Sequence, residues 1–255
     1  MTPLSQAEMS QQPLGVALAG LGFGEAVHLP ALDVNADPKP VALWHPRQER
    51  LDQACATHGL KGWTDWDALL QDPAVDAVII ATPPAPRFDL ARHALEAGKH
   101  LLLEKPVALN VHEAEAMQRL ALQRRLSVAV DYEYRAVPLF MQAARMLAAG
   151  AVGTPWLVKL DWLMGSRADP KRGWNWYSQA DQGGGVIGAL GTHAMDMLAW
   201  LIGPLGSVQA LNSVSIKQRP HPDGGLAAVD ASDVSLLQTV AHWQGRQDLP
   251  VPAQV

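Results

Sequence analysis

Leu14-Gly15-Val16-Ala17-Leu18-Ala19-Gly20-Leu21-Gly22-Phe23-Gly24 joins a short apolar run to a glycine-rich turn. Further along, a second apolar run, Leu101 to Leu103, leads into Glu104-Lys105-Pro106. A glycine-rich turn leaving a buried strand lets the backbone approach a pyrophosphate, whose charge then sits at the positive end of the next helix. A lysine at the end of a later parallel strand lies along the same carboxyl edge, where open α/β sheets bind their ligands.

Working outward, short apolar runs alternate with longer amphipathic stretches from Leu14 to about Val130, the pattern of repeated βαβ units around a parallel sheet. Strands are predicted at Leu14 to Ala19, Val41 to Trp44, Ala77 to Ala81, His100 to Leu103 and Ser127 to Val130, each a continuous apolar run suited to burial on both faces. Helices are predicted at Gln48 to Thr57, Trp66 to Leu70, Arg87 to Ala97 and Val111 to Leu122, with Gly98 after a C-cap and Asn110 as an N-cap. The texture changes after Tyr134-Arg135. A helix at Ala136 to Ala149 is followed by an extended, aromatic-rich segment, Trp156 to Met164. Gly183-Gly184-Gly185 then precedes a helical run, Val186 to Ile202, stopped by Gly203-Pro204. Val208 to Ile216 and Val234 to Trp243 read as strands, with a turn at His221 to Gly225. The fold class is therefore α/β: a doubly wound parallel sheet of Rossmann type, then a second region of helices and strands. The expected divisions are a disordered tail at 1–12, a dinucleotide-binding domain at 13–132 and a substrate or oligomerisation domain at 133–255, ending in a polar, proline-bearing tail from Gln244 to Val255.

The 255 residues, 48% of them hydrophobic, suffice for a buried core, and a formal charge of -5 with twenty scattered Lys and Arg gives no basic footprint for nucleic acid. A small-molecule partner is expected. Met1 to Gln12 lacks a basic start and an apolar segment, and no later run is long enough to cross a bilayer, so the chain reads as soluble, unexported and cytoplasmic. One cysteine, Cys55, excludes an internal disulfide and a thiolate zinc cluster, and no metal site is expected.

In the dinucleotide fingerprint G-x-G-x-x-G, the third glycine position falls on Glu25, whose carboxylate has to turn away from the phosphates. The second strand normally ends in an acid that binds the adenosine ribose and favours NAD. Here it runs into His45-Pro46-Arg47, where an imidazole and a guanidinium suit a 2′-phosphate instead. NADP(H) is favoured, with NAD(H) as the alternative. The plainer reading leaves Arg47 as a solvated first-turn residue.

Taken in order, several segments resemble the Gfo/Idh/MocA oxidoreductases. These are Gly20 to Gly24 with Val27-His28-Leu29-Pro30-Ala31-Leu32, then Ala81-Thr82-Pro83, then Ala97-Gly98-Lys99-His100 leading into Glu104-Lys105-Pro106. The likeness continues through Tyr134-Arg135, Gly150 to Gly153, and Gly183-Gly184-Gly185 to Gly191-Thr192-His193 and Asp196. The resemblance implies a Rossmann domain, a second domain on an open, mostly antiparallel sheet, and hydride transfer between a nicotinamide and a carbon bearing a hydroxyl or carbonyl. Substrates in the family are often sugars or polyols. It implies cofactor contacts at Gly20, Gly22, Phe23, Gly24, Ala81, Thr82, Pro83, Glu104 and Lys105. Lys105 would touch both nicotinamide ribose and substrate oxygen, with Glu104 fixing the loop. An ammonium beside a developing alkoxide stabilises charge and shares the proton; the bland alternative is a surface lysine at the start of a loop.

The resemblance also makes His193 a candidate acid or base in catalysis and substrate binding, although a histidine among Ala, Met and Leu equally reads as a satisfied core residue. Many members place an Asp one helical turn earlier, where this chain has Ala189. Arg87 stands where a histidine is common, and its role is open. Arg135 is the better substrate-side candidate, since a guanidinium holds hydroxyls or a carboxylate in a fixed orientation. Trp174 and Trp176, on a loop with Arg167 and Arg172, suit a sugar face or ordinary packing. Members usually continue through further strands after Asp230 to Asp233, so the second sheet is expected to be shortened at its C-terminus. That sheet commonly supports homo-oligomer contacts in the family. The expected function is an NADP(H)-preferring oxidoreductase. The alternatives are a catalytically impaired nucleotide-binding or scaffold protein of the same fold and, less favoured, an NAD-dependent glycosidase.

Overall fold

The computed structural model describes residues 13–243; the tails expected at 1–12 and 244–255 lie outside them. The chain divides into two compact units between Asp131 and Tyr132.

The first unit is a six-stranded parallel sheet. Its strands are β1 (Leu14–Ala19), β2 (Pro38–Trp44), β3 (Lys61–Trp63), β4 (Ala77–Ile80), β5 (His100–Leu103) and β6 (Val128–Val130), in the spatial order β3-β2-β1-β4-β5-β6. The order reverses at β1 and β4, the switch point outside which doubly wound sheets bind ligands. Register makes the carboxyl edge a single row. Ala19 pairs with Trp44 and Ile80, Ile80 with Leu103, and Leu103 with Val130. The next residue of each strand, among them Gly20, His45, Ala81, Glu104 and Asp131, therefore emerges on one rim.

Side chains alternate between the two faces, as the strand period requires. Ala17, Ala19, Val78, Ile80, Leu101 and Leu103 pack with residues of α3 (Trp66–Leu70), α4 (Pro84–Glu96) and α5 (Val111–Arg124). Val16, Leu18, Leu43 and Ile79 pack on the other face with Leu29 and Leu32 of α1 (Leu29–Asp33) and Leu51 and Ala54 of α2 (Gln48–His58). Local signals set the helix ends. The Asn110 side chain accepts the Glu113 N–H at 3.0 Å, and Gly98, at φ +81°, follows the last turn of α4. Helix α4 begins at Pro84, earlier than predicted, because proline is favoured in a first turn. The edge strand β3 was not predicted: three residues with a central glycine carry no apolar signature.

The second unit contains α6 (Pro138–Ala148), a single turn α7 (Gly165–Ala168), and a five-residue π-helical segment, Ile187–Gly191, that runs into α8 (Thr192–Leu201). Strands β7 (Leu205–Ser213) and β10 (Val234–Ala241) pair antiparallel, and β8 (Gln218–Pro220) with β9 (Leu226–Ala228) forms a hairpin around the expected turn at His221 to Gly225. The extended segment predicted at Trp156 to Met164 pairs with no strand among the described residues. Trp156 and Leu163 are each 91% exposed there, so bulk and β propensity alone do not build a ladder.

Candidate functional site

The glycine turn assigns each glycine a different task. Gly20 sits at φ +111°, and a Cβ there would lie 2.6 Å from the carbonyl carbon of Ala81, so only glycine lets the β1 rim close against β4. A Cβ on Gly22 would meet nothing within 4 Å, which leaves the backbone open on the side where a phosphate would approach. A Cβ on Gly24 would lie 2.8 Å from Leu18 and 3.0 Å from Ala81. Gly24 thus provides the close helix–strand packing that the fingerprint assigns to its third glycine, one position before Glu25. Glu25 does turn away: its carboxylate lies 3.1 Å from His58 Nε2 and 3.7 Å from the Arg50 guanidinium. Phe23 is 53% exposed on the turn. Thr82, one residue past the rim, is buried, and its Oγ1 has no hydrogen-bond partner among the described residues. An orphaned hydroxyl beside an open glycine backbone fits a dinucleotide, whose phosphates and ribose supply the missing partners. Pro83 caps α4 at its N-terminus.

At the end of β2, His45 Nδ1 accepts the Arg47 backbone N–H at 3.0 Å, so the imidazole braces the start of α2. Burial lowers its pKa, with the neighbouring Arg47 and Arg50 charges acting in the same direction, while the contact of Nδ1 with the Arg47 carbonyl at 3.3 Å acts the other way. The shift favours the neutral ring, in keeping with Nδ1 as an acceptor. Arg47 is exposed at the N-cap of α2. Arg50, which sequence reasoning missed, donates to the Leu21 carbonyl at 2.8 Å and so lies against the glycine turn itself. Its spacing of three from Arg47 on a helix was the available signal.

Around Lys105, Glu104 is the organising group. Buried at 7% exposure, its carboxylate accepts the Lys105 N–H at 3.2 Å and faces His28 Nε2 at 2.9 Å. Asp131, from the end of β6, stands 3.9 Å from the same nitrogen. His28, Glu104 and Asp131 present ligand-type atoms within 4.8 Å of one another, but the His–Glu separation is that of a direct hydrogen bond. His28 was part of the family motif, yet no role had been assigned to it. Arg87 resolves the open position in α4. Only 2% exposed, it donates to the backbone carbonyls of Thr82, Glu104 and Pro106. One guanidinium thus ties the loop after β4 to the loop after β5, using the fork geometry that a histidine lacks.

In the second unit, His193 is 3% exposed and ringed by aromatics, with centroids of Tyr134 at 4.9 Å, Tyr132 at 5.7 Å and Trp162 at 6.1 Å. Its Nε2 lies 3.8 Å from a Glu133 carboxylate oxygen. Ala189 is buried in the π-helical segment that precedes α8. Arg135 engages Asp196 bidentately at 2.8 and 2.6 Å, so the face of its fork suited to a carboxylate is already occupied by the protein. Trp174 donates to the Ala228 carbonyl at 2.8 Å and is tied to the β8–β9 hairpin, while Trp176 stacks on Tyr177 at 3.8 Å. A cavity of about 450 Å³ opens within this unit, with Trp162, Arg167, Val186, Leu190, Ile216 and Asp233 among the residues on its wall. It is the size of a small-ligand pocket and mostly apolar.

Fold and site together define a dinucleotide-binding Rossmann domain followed in sequence by an α+β domain. Residues 14–132 match the oxidoreductase family with an NAD-binding Rossmann fold, and residues 140–248 match the GFO/IDH/MocA C-terminal domain. The chain belongs to the Gfo/Idh/MocA family. It is 42% identical over 233 residues to an uncharacterized oxidoreductase of Synechocystis sp., covering 90% of this chain and 63% of that protein. It is 31% identical over 233 residues to a levoglucosan dehydrogenase of Pseudarthrobacter phenanthrenivorans, covering 86% and 58%. Among solved structures, an oxidoreductase domain protein from Kribbella flavida superposes with a TM-score of 0.82 at 30% identity, covering 92% of this chain and 65% of that one. A levoglucosan dehydrogenase in complex with NADH and levoglucosan gives 0.77 at 28% identity, covering 90% and 64%. The chain thus spans less than two thirds of the length of these relatives. Among the described residues no helix is long and apolar enough to cross a membrane.

Proposed function

We propose that this chain is an NAD(P)-dependent oxidoreductase acting on a hydroxyl or carbonyl carbon of a sugar-like substrate, with NADP(H) preferred. The observation that carries the reading is the rim of the first unit, where the open backbone of Gly22, the unpartnered Oγ1 of Thr82 and the Lys105 loop all follow strands of one register row. Gly20 to Gly24, with Ala81 to Pro83, would hold the nucleotide. A bound nicotinamide supplies the hydride donor or acceptor. The Lys105 ammonium shares the substrate's hydroxyl proton and stabilises the alkoxide, while Glu104 and Arg87 hold its loop in place. His193, buried among aromatic rings, is the proposed acid or base of the second unit. The NADP(H) preference rests on the absence of an acid at the end of β2 and on the exposed Arg47 at the start of α2. A sugar-like substrate is supported by the levoglucosan dehydrogenase relatives and by a scyllo-inositol 2-dehydrogenase of Bacillus subtilis that is 31% identical over 141 residues.

The test is calorimetric titration with NADPH and with NADH, followed by turnover on sugars for the wild type and Lys105→Ala. Tight NADPH binding, and turnover lost in the variant with nucleotide affinity largely kept, supports the reading. Turnover unchanged in Lys105→Ala sinks the assignment of Lys105. Ala189, in place of a carboxylate, favours a second reading, a nucleotide-binding protein without turnover, which oxidation of any sugar at the expense of bound nucleotide would overturn.

A further inference from the structure

A second, smaller cavity of about 40 Å³ lies wholly within the second unit, with room for about three water-sized groups. Three guanidinium-bearing residues, Arg167, Arg172 and Arg219, line it together with Tyr177 and Asp233. Arg219 is only 6% exposed and donates to two backbone carbonyls, those of Asp169 at 2.7 Å and Arg167 at 2.8 Å. Arg167 stacks on the Tyr177 ring at 4.3 Å, and Arg172 lies 5.9 Å from the same ring. No carboxylate forms an ion pair with any of the three among the described residues. Asp233, the acid on the wall, already accepts the Ser215 and Ile216 N–H groups at 2.7 and 2.8 Å. Burial, and the Arg167 and Arg219 charges, push the Arg172 pKa down, the direction in which unneutralised like charges act.

Three like charges around one small cavity, one of them nearly buried, are costly unless an anion joins them. The chain packs tightly next to Gly185, one of the residues on the cavity wall. A Cβ on Gly184 would lie 2.5 to 2.7 Å from the carbonyl oxygens of Gln179, Trp176 and Tyr177, so the glycine triplet allows the Tyr177 turn to press against the chain. Arg167, Val186 and Asp233 line both this cavity and the 450 Å³ one, which gives the pair a shared wall.

We propose that the small cavity binds an oxyanion, the carboxylate or phosphate of a small ligand, on the guanidinium groups of Arg167 and Arg172, with Arg219, whose fork is held by the backbone, adding its charge to the wall. Planar guanidinium groups match both oxyanions through paired hydrogen bonds. The ligand class is thus an acidic or phosphorylated small molecule rather than a neutral one. Sugar-borne probes rest on the proposed substrate class, whereas inorganic phosphate does not.

The test is calorimetric titration of the full chain, without nucleotide, with inorganic phosphate, glucuronate, glucose 6-phosphate and neutral glucose. The charged probes should bind and glucose should not. Affinity should fall as salt rises from about 50 to about 300 mM, because partly exposed charges are screened. Arg172→Gln should weaken binding at least about tenfold, the loss of one charge-assisted hydrogen bond, and Arg172→Lys should weaken it less. Whichever sugar probe binds more tightly identifies carboxylate or phosphate as the source. If Arg172→Gln does not fold, Arg172→Lys and the wild-type salt dependence decide. Glucose binding as well as the charged probes, no binding by any of them, or affinity indifferent to both Arg172 substitution and salt would overturn the proposal. An NADPH titration of the same sample tests the oxidoreductase reading separately, so either reading can fail alone.

Discussion

Replacing Arg87 by Leu removes a guanidinium that holds three backbone carbonyls at a site only 2% exposed. A buried acceptor stripped of its donor costs about 1–3 kcal/mol, so three would sum to about 3–9 kcal/mol if nothing relaxed. Relaxation of the two loops and water entry lower the figure, and single substitutions rarely exceed about 5 kcal/mol, which sets the expectation at about 3–5 kcal/mol. Arg87→Lys keeps the charge but reaches fewer of the three oxygens, and is expected to lose about 1–2 kcal/mol. The assay is urea unfolding followed by far-UV circular dichroism, with the midpoint and slope fitted for each variant. Nucleotide affinity should fall along with stability in Arg87→Lys, because the joined segments include Thr82 and the Lys105 loop. A loss under about 1 kcal/mol for Arg87→Leu would refute the view that Arg87 ties the two loops together.

Further outcomes test the glycine turn, the cofactor preference and the acid behaviour. Gly20→Ala should lose about 2–4 kcal/mol of stability in thermal unfolding, since it combines a positive φ with a clash against Ala81. Gly22→Ala should stay within about 1 kcal/mol of wild-type stability while weakening nucleotide binding at least about tenfold. Arg47→Glu should lower NADPH affinity by about 10–100-fold and leave NADH nearly unchanged, as measured by calorimetry. Asp233 is held below the usual carboxylate range although burial acts the other way, because the Ser215 and Ile216 N–H groups favour the ionised form; Asp72 is lowered by the Ala74 N–H and by Lys61. Their contribution is present above the unfolded-state pKa of about 3.9 and is lost as pH falls through the lower folded values. Urea midpoints should therefore fall steeply below about pH 4, and Asp233→Asn should flatten that fall.

Much of the first unit was legible because its strands are buried on both faces and read as unbroken apolar runs. The predicted limits of β1 and β5 match the structure residue for residue. The short edge strand β3 was not legible, since a Lys-Gly-Trp triplet becomes a strand only when β2 offers it a ladder. Trp156 to Met164 failed in the opposite sense. It has strand composition but no partner among the described residues, and pairing is a property of two segments.

For the candidate site, the glycine turn, Ala81 to Pro83 and the Glu104-Lys105-Pro106 loop were visible as ordered motifs, because local backbone demands select glycine and proline at set places. Their convergence was inferred from strand order alone and follows in the structure from the register row. Arg135 is the instructive contrast: read as a substrate contact, it spends its fork on Asp196, sixty-one positions away.

Local pattern, then, was enough to specify a parallel α/β half with a phosphate-type turn at its leading strand, because periodicity and turn chemistry are encoded within a few neighbouring residues. Tertiary structure alone decided that Arg87 clamps three carbonyls, that His28 and Glu104 meet, and that Arg167, Arg172 and Arg219 share one cavity. Each of these depends on segments far apart in the chain reaching within a few ångströms, and the free energy of such a meeting comes from desolvation and geometry that no single segment carries.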